Sequence, residues 1–531
     1  MITATAPRPW WETRAFVVAL MVLAVVPLIV PEVPPLVDLP GHMGRYRIAL
    51  GGSPLLDRYY SFHWLLSGNV GGDLMMVPLS RVLGVGAAAK LVALAIPAAI
   101  VGLLWGLARE VYGRAPPTLA LVVPLIYTQP FLFGFVNYML GVVAALATLW
   151  LFIRLGRLGQ FRLRAMLMVP LGIAVFLLHA SAWGLLGLMA FAAEWTRRRG
   201  AGAKRPRALI DTVVQLLPLA APLLLLALWQ SSAAGATRTS YQPWIKLAWL
   251  AFIFRDRWAQ ADVAMSMVFG GALAMLWRTR EIRWNATFGL GALLILIAYC
   301  AVPFVVFGSA YADTRLLPVL LMALVLAMAP PGDEHRRIAT FVAIGCVAVA
   351  VIRIALVGAS FMVAAREQAT MLPAIDRIER GARVAVAVGD QCASWALHRS
   401  DHFGSLAIVR REAFSNDQWF LPGSIAVEIH YPAAGNYAHD PVQLLDKGHC
   451  APGSRDELEK WMSLLPAQAF DNVWLLDTPP MPAEQLDSWR PVYVSSGSAL
   501  YRRVDQVTKM SEPRRGPETV PQLQAIPATL P

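Results

Sequence analysis

The sequence predicts a polytopic α-helical membrane protein of about eleven transmembrane helices, followed by a small soluble α/β C-terminal domain. Three observations predict it. Hydrophobic residues make up 57% of the chain and the mean hydropathy is +0.53, above the roughly 45–50% apolar usage of soluble domains. The apolar residues come in blocks too long for core strands, with charges clustered between them. After Pro373 the composition turns to that of an ordinary globular domain.

The first block, Phe16 to Val30, follows Arg8 and Arg14 and runs into Pro31, Pro34 and Pro35 with no small-residue cleavage site. It reads as a retained signal-anchor with a cytoplasmic N-terminus. Residues 31–84 form a first outer loop, in which the amphipathic run Leu74–Leu83 lies along the membrane surface. If that run crossed instead, the basic loop with Arg154, Arg157, Arg162 and Arg164 would fall outside, against the positive-inside rule. Spans then follow at Ala87–Ala108, Thr118–Pro130 and Tyr138–Ile153. The stretch Ala165–Trp195 has basic loops at both ends, so it must be a hairpin of two short helices turning near His179. Leu209–Trp229, Val263–Trp277, Phe288–Phe307, Leu316–Met328 and Ile338–Val357 complete a membrane domain over residues 1–360, and they leave the C-terminal part outside.

Residues 373–507 carry short β-rich runs at Val384–Val388, Leu406–Val409, Ile425–Ile429, Val473–Leu476 and Val492–Val494, with a helix over Arg455–Leu465. An oxidising compartment would allow Cys392 and Cys450 to pair. Cys300 and Cys346 fall in apolar segments. Residues 508–531 read as a disordered tail. The formal charge of +12 sits largely at segment ends, where lipid headgroups account for it and no nucleic-acid partner is needed.

No Walker A loop, G-x-S-x-G, H-E-x-x-H or zinc-spaced cysteine pair is present. Asp390 and His402 have no catalytic spacing and read as solvated surface residues. The informative stretch is Pro31 to Tyr46. Prolines fix its backbone where the first helix leaves the membrane, holding Asp38 above the bilayer with His42 and Arg45 following. A rigid carboxylate there suits a general base. The same residues also fit a capped interfacial helix with Asp38 as N-cap and Arg45 among headgroups.

This layout resembles the GT-C superfamily of lipid-dependent glycosyltransferases, which includes the protein mannosyltransferases and aminoarabinose transferases. The residues that carry the resemblance are Asp38 with Leu39, Pro40 and His42; Gly134 to Gly141; His179; and Tyr311 to Leu316. It implies a membrane glycosyltransferase of the bacterial cytoplasmic (inner) membrane. Such an enzyme takes a sugar from a polyprenyl-phosphate donor to a lipid, glycan or protein acceptor on the outer face. Asp38 takes the place of the carboxylate that activates the acceptor or coordinates a metal. Many members carry paired acidic residues in this loop, whereas five residues separate Glu32 from Asp38; no cofactor is certain, and a divalent metal is an open question.

Arg315, following Tyr311 and Asp313 at the mouth of a span, suits a phosphate clamp, or snorkels, or pairs with Asp313. His179 suits the phosphate or acceptor, or a satisfied polar group at a helix break. Asn137 lines the pocket or bonds across helices. Tyr241 and Lys246, in an aromatic and cationic loop with Arg238, suit a lipid-phosphate entrance or an interfacial belt. Two competing functions remain open: a transporter or flippase of lipid-linked saccharide, and a non-catalytic assembly protein for envelope polysaccharide. The first predicts internal repeats and midplane ionisable groups; the second predicts indifference to Asp38→Asn.

Overall fold

The computed structural model describes residues 8–65, 67–228, 241, 243–306, 310–329, 335–421, 425–448 and 450–504. The expected tail over 508–531, Arg238, and the span ends Trp229 and Phe307 lie outside the described residues. Helix α1 (Arg14–Ile29) opens with the Thr13 hydroxyl accepting from the Phe16 amide at 3.2 Å. Its last carbonyl, of Ile29, accepts from Lys90 Nζ at 2.8 Å, which also reaches the Pro31 carbonyl. That contact sets where the chain leaves the helix. Then come α2 (Leu39–Ala49), β1 (Tyr60–Phe62), α3 (Gly71–Leu83) and α4 (Val85–Tyr112). The α3 helix buries Met76 and Val77 and exposes Leu74, Met75 and Val82, the two-sided pattern expected of the Leu74–Leu83 run.

The expected single span Thr118–Pro130 is instead a 3-10 turn at Leu119–Leu121 and two short helices, α5 (Val122–Ile126) and α6 (Gln129–Leu132). Every residue from Leu119 to Leu132 is buried, so the broken backbone is paired by protein rather than left in lipid. The freed Tyr127 carbonyl accepts from Arg353 Nη2 at 2.8 Å. Next are α7 (Val136–Arg157), α8 (Phe161–Leu178) and α9 (Ala180–Gly200). The hairpin turns at an extended His179, as the basic loops require. Its arms are longer than Ala165–Trp195 because the helices run on through their basic ends. There Glu194 binds Arg164 at 3.0 Å and also pairs with Arg197 and Arg198.

The predicted span Leu209–Trp229 is interrupted as well, into α10 (Arg205–Leu216), a 3-10 turn and α11 (Pro222–Leu228), where Pro218 and Pro222 remove backbone donors. The chain continues through α12 (Pro243–Ala251), α13 (Ala259–Arg278), α14 (Ala286–Ala301), α15 (Leu316–Ala327) and α16 (Arg336–Asp376). Among the described residues five helices, α4, α7, α8, α13 and α16, are long and apolar enough to cross a membrane, and α1, α14 and α15 are shorter apolar helices. With 41 residues, α16 is about 60 Å long, roughly twice a hydrocarbon core. It runs on into the C-terminal domain.

That domain holds β2 (Arg383–Asp390), α17 (Leu406–Arg411), β3 (Phe414–Ser415), β4 (Val427–Ile429), β5 (Leu444–Asp446), α18 (Leu458–Leu464), β6 (Asn472–Leu476), β7 (Trp489–Ser495) and β8 (Ser498–Arg503). Central β2 runs parallel to β3, β5 and β6; β8 and β7 extend the sheet antiparallel. The run Leu406–Val409 is helix, not strand: it is a four-residue apolar stretch without alternation, buried at Leu406, Ala407 and Ile408 and closed by Glu412 in the left-handed region. The Ile425–Ile429 run forms β4, which pairs antiparallel with β1 of the first loop, Tyr60 opposite Ile429. Cys392 and Cys450 form a disulfide.

Replacing both Cys392 and Cys450 by Ala opens a loop spanning 58 positions and is expected to lower C-terminal-domain stability by about 2–4 kcal/mol. Denaturation followed by tryptophan fluorescence in detergent checks this, with Cys300→Ser as the neutral control.

Candidate functional site

Asp38 sits between the end of α1 and the start of α2, where two backbone bonds hold it. The Val37 and Asp38 amides donate to the Leu132 and Phe133 carbonyls at 3.2 and 2.8 Å. Gly134 makes this approach feasible. It has a φ of +82°, and a Cβ there would stand 3.0 Å from both the Asp38 and Leu39 nitrogens. Asp38 occupies the N-cap position of α2, but its side chain makes no capping bond. Among the described residues the carboxylate has no hydrogen bond or ion pair, and it keeps an opening to solvent. Burial raises its pKa to about 6. The His402 imidazole and Arg315 guanidinium pull down against that rise, and Asp440 adds to it.

Arg315 ends the turn before α15. Its guanidinium lies 4.6 Å from the Phe135 ring centroid and within electrostatic range of Asp38, Asp313 and Tyr138. The Tyr138 hydroxyl donates to the Arg315 carbonyl, and the Tyr138 ring meets the His179 ring edge-on at 5.3 Å. His179 Nδ1 accepts from the Ser181 amide at 3.1 Å. The imidazole is therefore held with its proton on Nε2. Tyr311 adopts a left-handed backbone (φ 61°), a strained conformation for a bulky residue. Its ring packs on Phe133, Phe304 and Trp249, within range of Asp38, Asp401 and Arg255. Between the helices a small apolar cavity of about 10 Å³ is lined by Ile100, Leu125, Tyr138, Met139 and Pro318.

Sequence reading thus placed Asp38, His179, Tyr311 and Arg315 in one locality. Its other candidates have partners inside the protein. Arg45 is buried in an ion pair with Asp73 at 2.9 Å. Asn137 donates to the Asn69 carbonyl and side-chain oxygen at 2.8 and 3.0 Å. Lys246 Nζ binds Asp313 at 2.6 Å and the Tyr299 and Val302 carbonyls, and the Tyr241 hydroxyl donates to the Cys300 carbonyl. His42 is the exception: its ring lies 5.0 Å from Trp419, and among the described residues its buried Nδ1 has no hydrogen-bond partner.

The C-terminal domain supplies what sequence reading missed. Asp390 and His402 are buried at 7% and 6% exposure, not solvated. Asp390 is paired to His398 at 2.6 Å. His402 stands beside Asp38 with Asp401, Asp417, Asp440 and Trp419 nearby. Burial alone would lower the His402 pKa, but Asp440, Asp38, Asp417 and Asp401 together raise it above the usual imidazole value. Burial pushes Asp401 and Asp417 up to about 6.

Asp417 is engaged by the Ser405 amide and by the Ser405 and Ser415 hydroxyls, and Asp440 accepts from Gln443 at 2.8 Å. Only local pattern could have flagged these residues, and His-Phe-Gly-Ser or Asn-Asp-Gln-Trp resembles no motif. Among the described residues no group of three or more His, Cys, Asp or Glu is arranged to hold a metal ion.

An apolar helical bundle whose mouth carries a carboxylate and an arginine, roofed by an α/β domain, is a fold that a solved protein shares. The crystal structure of ArnT from Cupriavidus metallidurans in the apo state is similar with a TM-score of 0.50 at 12% identity, over 93% of this chain and 98% of that chain. The same protein bound to undecaprenyl phosphate gives 0.45 at 12% identity, over 92% and 97%. No protein-family model matches the chain, and no curated protein matches it.

Gly134→Ala would press a methyl group onto the backbone that carries Asp38 and is expected to lower activity at least tenfold while the protein still inserts. Activity per inserted molecule, quantified by immunoblot of vesicles, checks it.

Proposed function

We propose that the protein is a glycosyltransferase that moves a sugar from a polyprenyl phosphate to an acceptor hydroxyl on the extracytoplasmic face of the bacterial cytoplasmic membrane. The observation that carries this reading is the unbonded, solvent-accessible carboxylate of Asp38 within range of the Arg315 guanidinium, at the mouth of a bundle with this fold.

The parts support the chemistry. The acceptor hydroxyl gives its proton to Asp38 as its oxygen bonds to the sugar's anomeric carbon. The bond from that carbon to the phosphate oxygen breaks, its electron pair staying on the polyprenyl phosphate. Arg315 and the Nε2 proton of His179 receive the departing phosphate. The Tyr311 cluster walls the pocket. Arg45, Asn137 and Lys246 then act by holding α2, α7 and the Asp313 turn in place.

Vesicles carrying wild type or Asp38→Asn, given polyprenyl-phosphate donors with a radiolabelled sugar, test the reading. Loss of the base is expected to lower transfer by about a hundredfold to ten-thousandfold; equal transfer would remove Asp38 from the mechanism. No transfer by wild type with any donor would favour a transporter or an assembly protein.

The rate should also depend on pH. A base with a pKa of about 6 is protonated and inactive below that value, so kcat/KM is expected to fall as pH drops through 6. Initial rates between pH 5 and pH 8 check this.

A further inference from the structure

The C-terminal domain meets Asp38 with the carboxyl ends of its parallel strands. Past β3 come Asn416, Asp417, Gln418 and Trp419; past β2 the chain returns through Asp401 and His402. Open sheets hold ligands at this edge. The His402 Cβ lies 3.2 Å from where a Cβ on Gly41 would stand, so the imidazole rests on the turn of α2 that begins at Asp38. Trp419 sits 4.4 Å from the His402 ring and 5.0 Å from that of His42.

His402 Nδ1 lies 3.0 Å from the Asp417 main-chain oxygen, so Nδ1 carries a proton in either charge state. Among the described residues Nε2 has no partner, and no carboxylate comes within ion-pair distance of the ring. The groups that face the imidazole are Asp38 from the loop before α2, His42 from α2, the adjacent Asp401, Asp417 after β3, and Asp440 before β5. A buried imidazole anchored at one nitrogen, with Asp440 and Asp38 among the carboxylates around it, has a geometry suited to a second hydroxyl beside the reacting one.

We propose that His402 is an acceptor-binding residue contributed by the C-terminal domain, its Nε2 holding one hydroxyl of an uncharged, polyhydroxylated acceptor while Asp38 takes the proton of another. This rests on the glycosyltransferase reading above. The acceptor is a neutral saccharide because Asp38, Asp401 and Asp440 would repel phosphate or carboxylate at this face, while carboxylates and the Trp419 ring suit hydroxyls and the apolar face of a sugar. The donor phosphate lies on the other side of Asp38, with Arg315 and His179.

Two substitutions separate this role from a structural one. His402→Asn keeps a donor at the Nδ1 position, for the Asp417 carbonyl; His402→Gln keeps a polar group at the Nε2 position. Both are assayed in full-chain vesicles by transfer of labelled sugar from undecaprenyl-phosphate donors to the vesicles' own acceptors. His402→Gln is expected to retain transfer within about threefold, and His402→Asn to lose about tenfold to a hundredfold, the range of a hydrogen bond to a charged group. Donor KM should hold steady in both.

The reverse order, with Asn at least as active as Gln, would show that Nδ1 and the fold matter and would overturn the proposal. A labelled product bearing phosphate at the acceptor would overturn it too. Silence of the wild type would overturn the glycosyltransferase reading and this inference with it, which the variant order alone does not.

Discussion

The site exists because the C-terminal domain is pinned to the first loop and to the helices by buried guanidinium groups. Arg399 donates from Nε to the Pro35 carbonyl at 2.7 Å and pairs with Asp256. Arg255 donates to the Ser394 and Trp395 carbonyls, both at 2.8 Å. Asp262 links the Trp395 indole at 2.8 Å to the fully buried Arg353. Removing one partner of such a pair leaves a buried charge without compensation, at a cost of about 3–5 kcal/mol. The domain therefore cannot lift from the bundle without exposing several such charges to water. Gly41 and Gly44 let α2 press against Trp419, Gln418 and Ser405, and β1 pairing with β4 closes the seam.

That closure sets the electrostatics of the pocket. Asp38, Asp401 and Asp417 are raised for the same reason, loss of water, yet their environments divide their work. Asp417 is saturated by two serines and orders the loop that carries His402. Among the described residues the Asp38 carboxylate makes no hydrogen bond or ion pair, which the proposed proton acceptor requires. Groups this close titrate as a set, so the pH profile reports the pocket rather than one carboxyl.

Much of this was legible in the sequence where signals are local. The apolar blocks, the proline-fixed exit at Pro31 to Pro35, the hairpin at His179 and the strands around Val384–Val388 and Val473–Leu476 all follow from short-range pattern. Tertiary context decided the rest. Thr118–Pro130 looked like one span because a wholly buried stretch reads as apolar whether or not its helix is continuous. Arg45 and Lys246 looked like ligand groups because Asp73 and Asp313 cannot be recognised as their partners from spacing. His402 looked solvated because nothing within ten residues reveals a neighbour at Asp38.

Several departures from local rules meet at this site. Tyr311 holds a left-handed backbone, Gly134 brings two backbones together, an N-cap aspartate does not cap, and buried atoms of His42 and Asp401 lack partners. At Glu194, by contrast, three arginines satisfy one buried carboxylate. A chain folded only for stability would have satisfied the mouth of the bundle in the same way, with Asp38 capping α2 and a glycine in place of Tyr311. Strain and unmet hydrogen-bonding capacity persist where the surrounding structure over-determines them. Here α2, the Phe133 turn and the strand ends of the C-terminal domain do so together, so the proposed site belongs to their junction rather than to either domain alone.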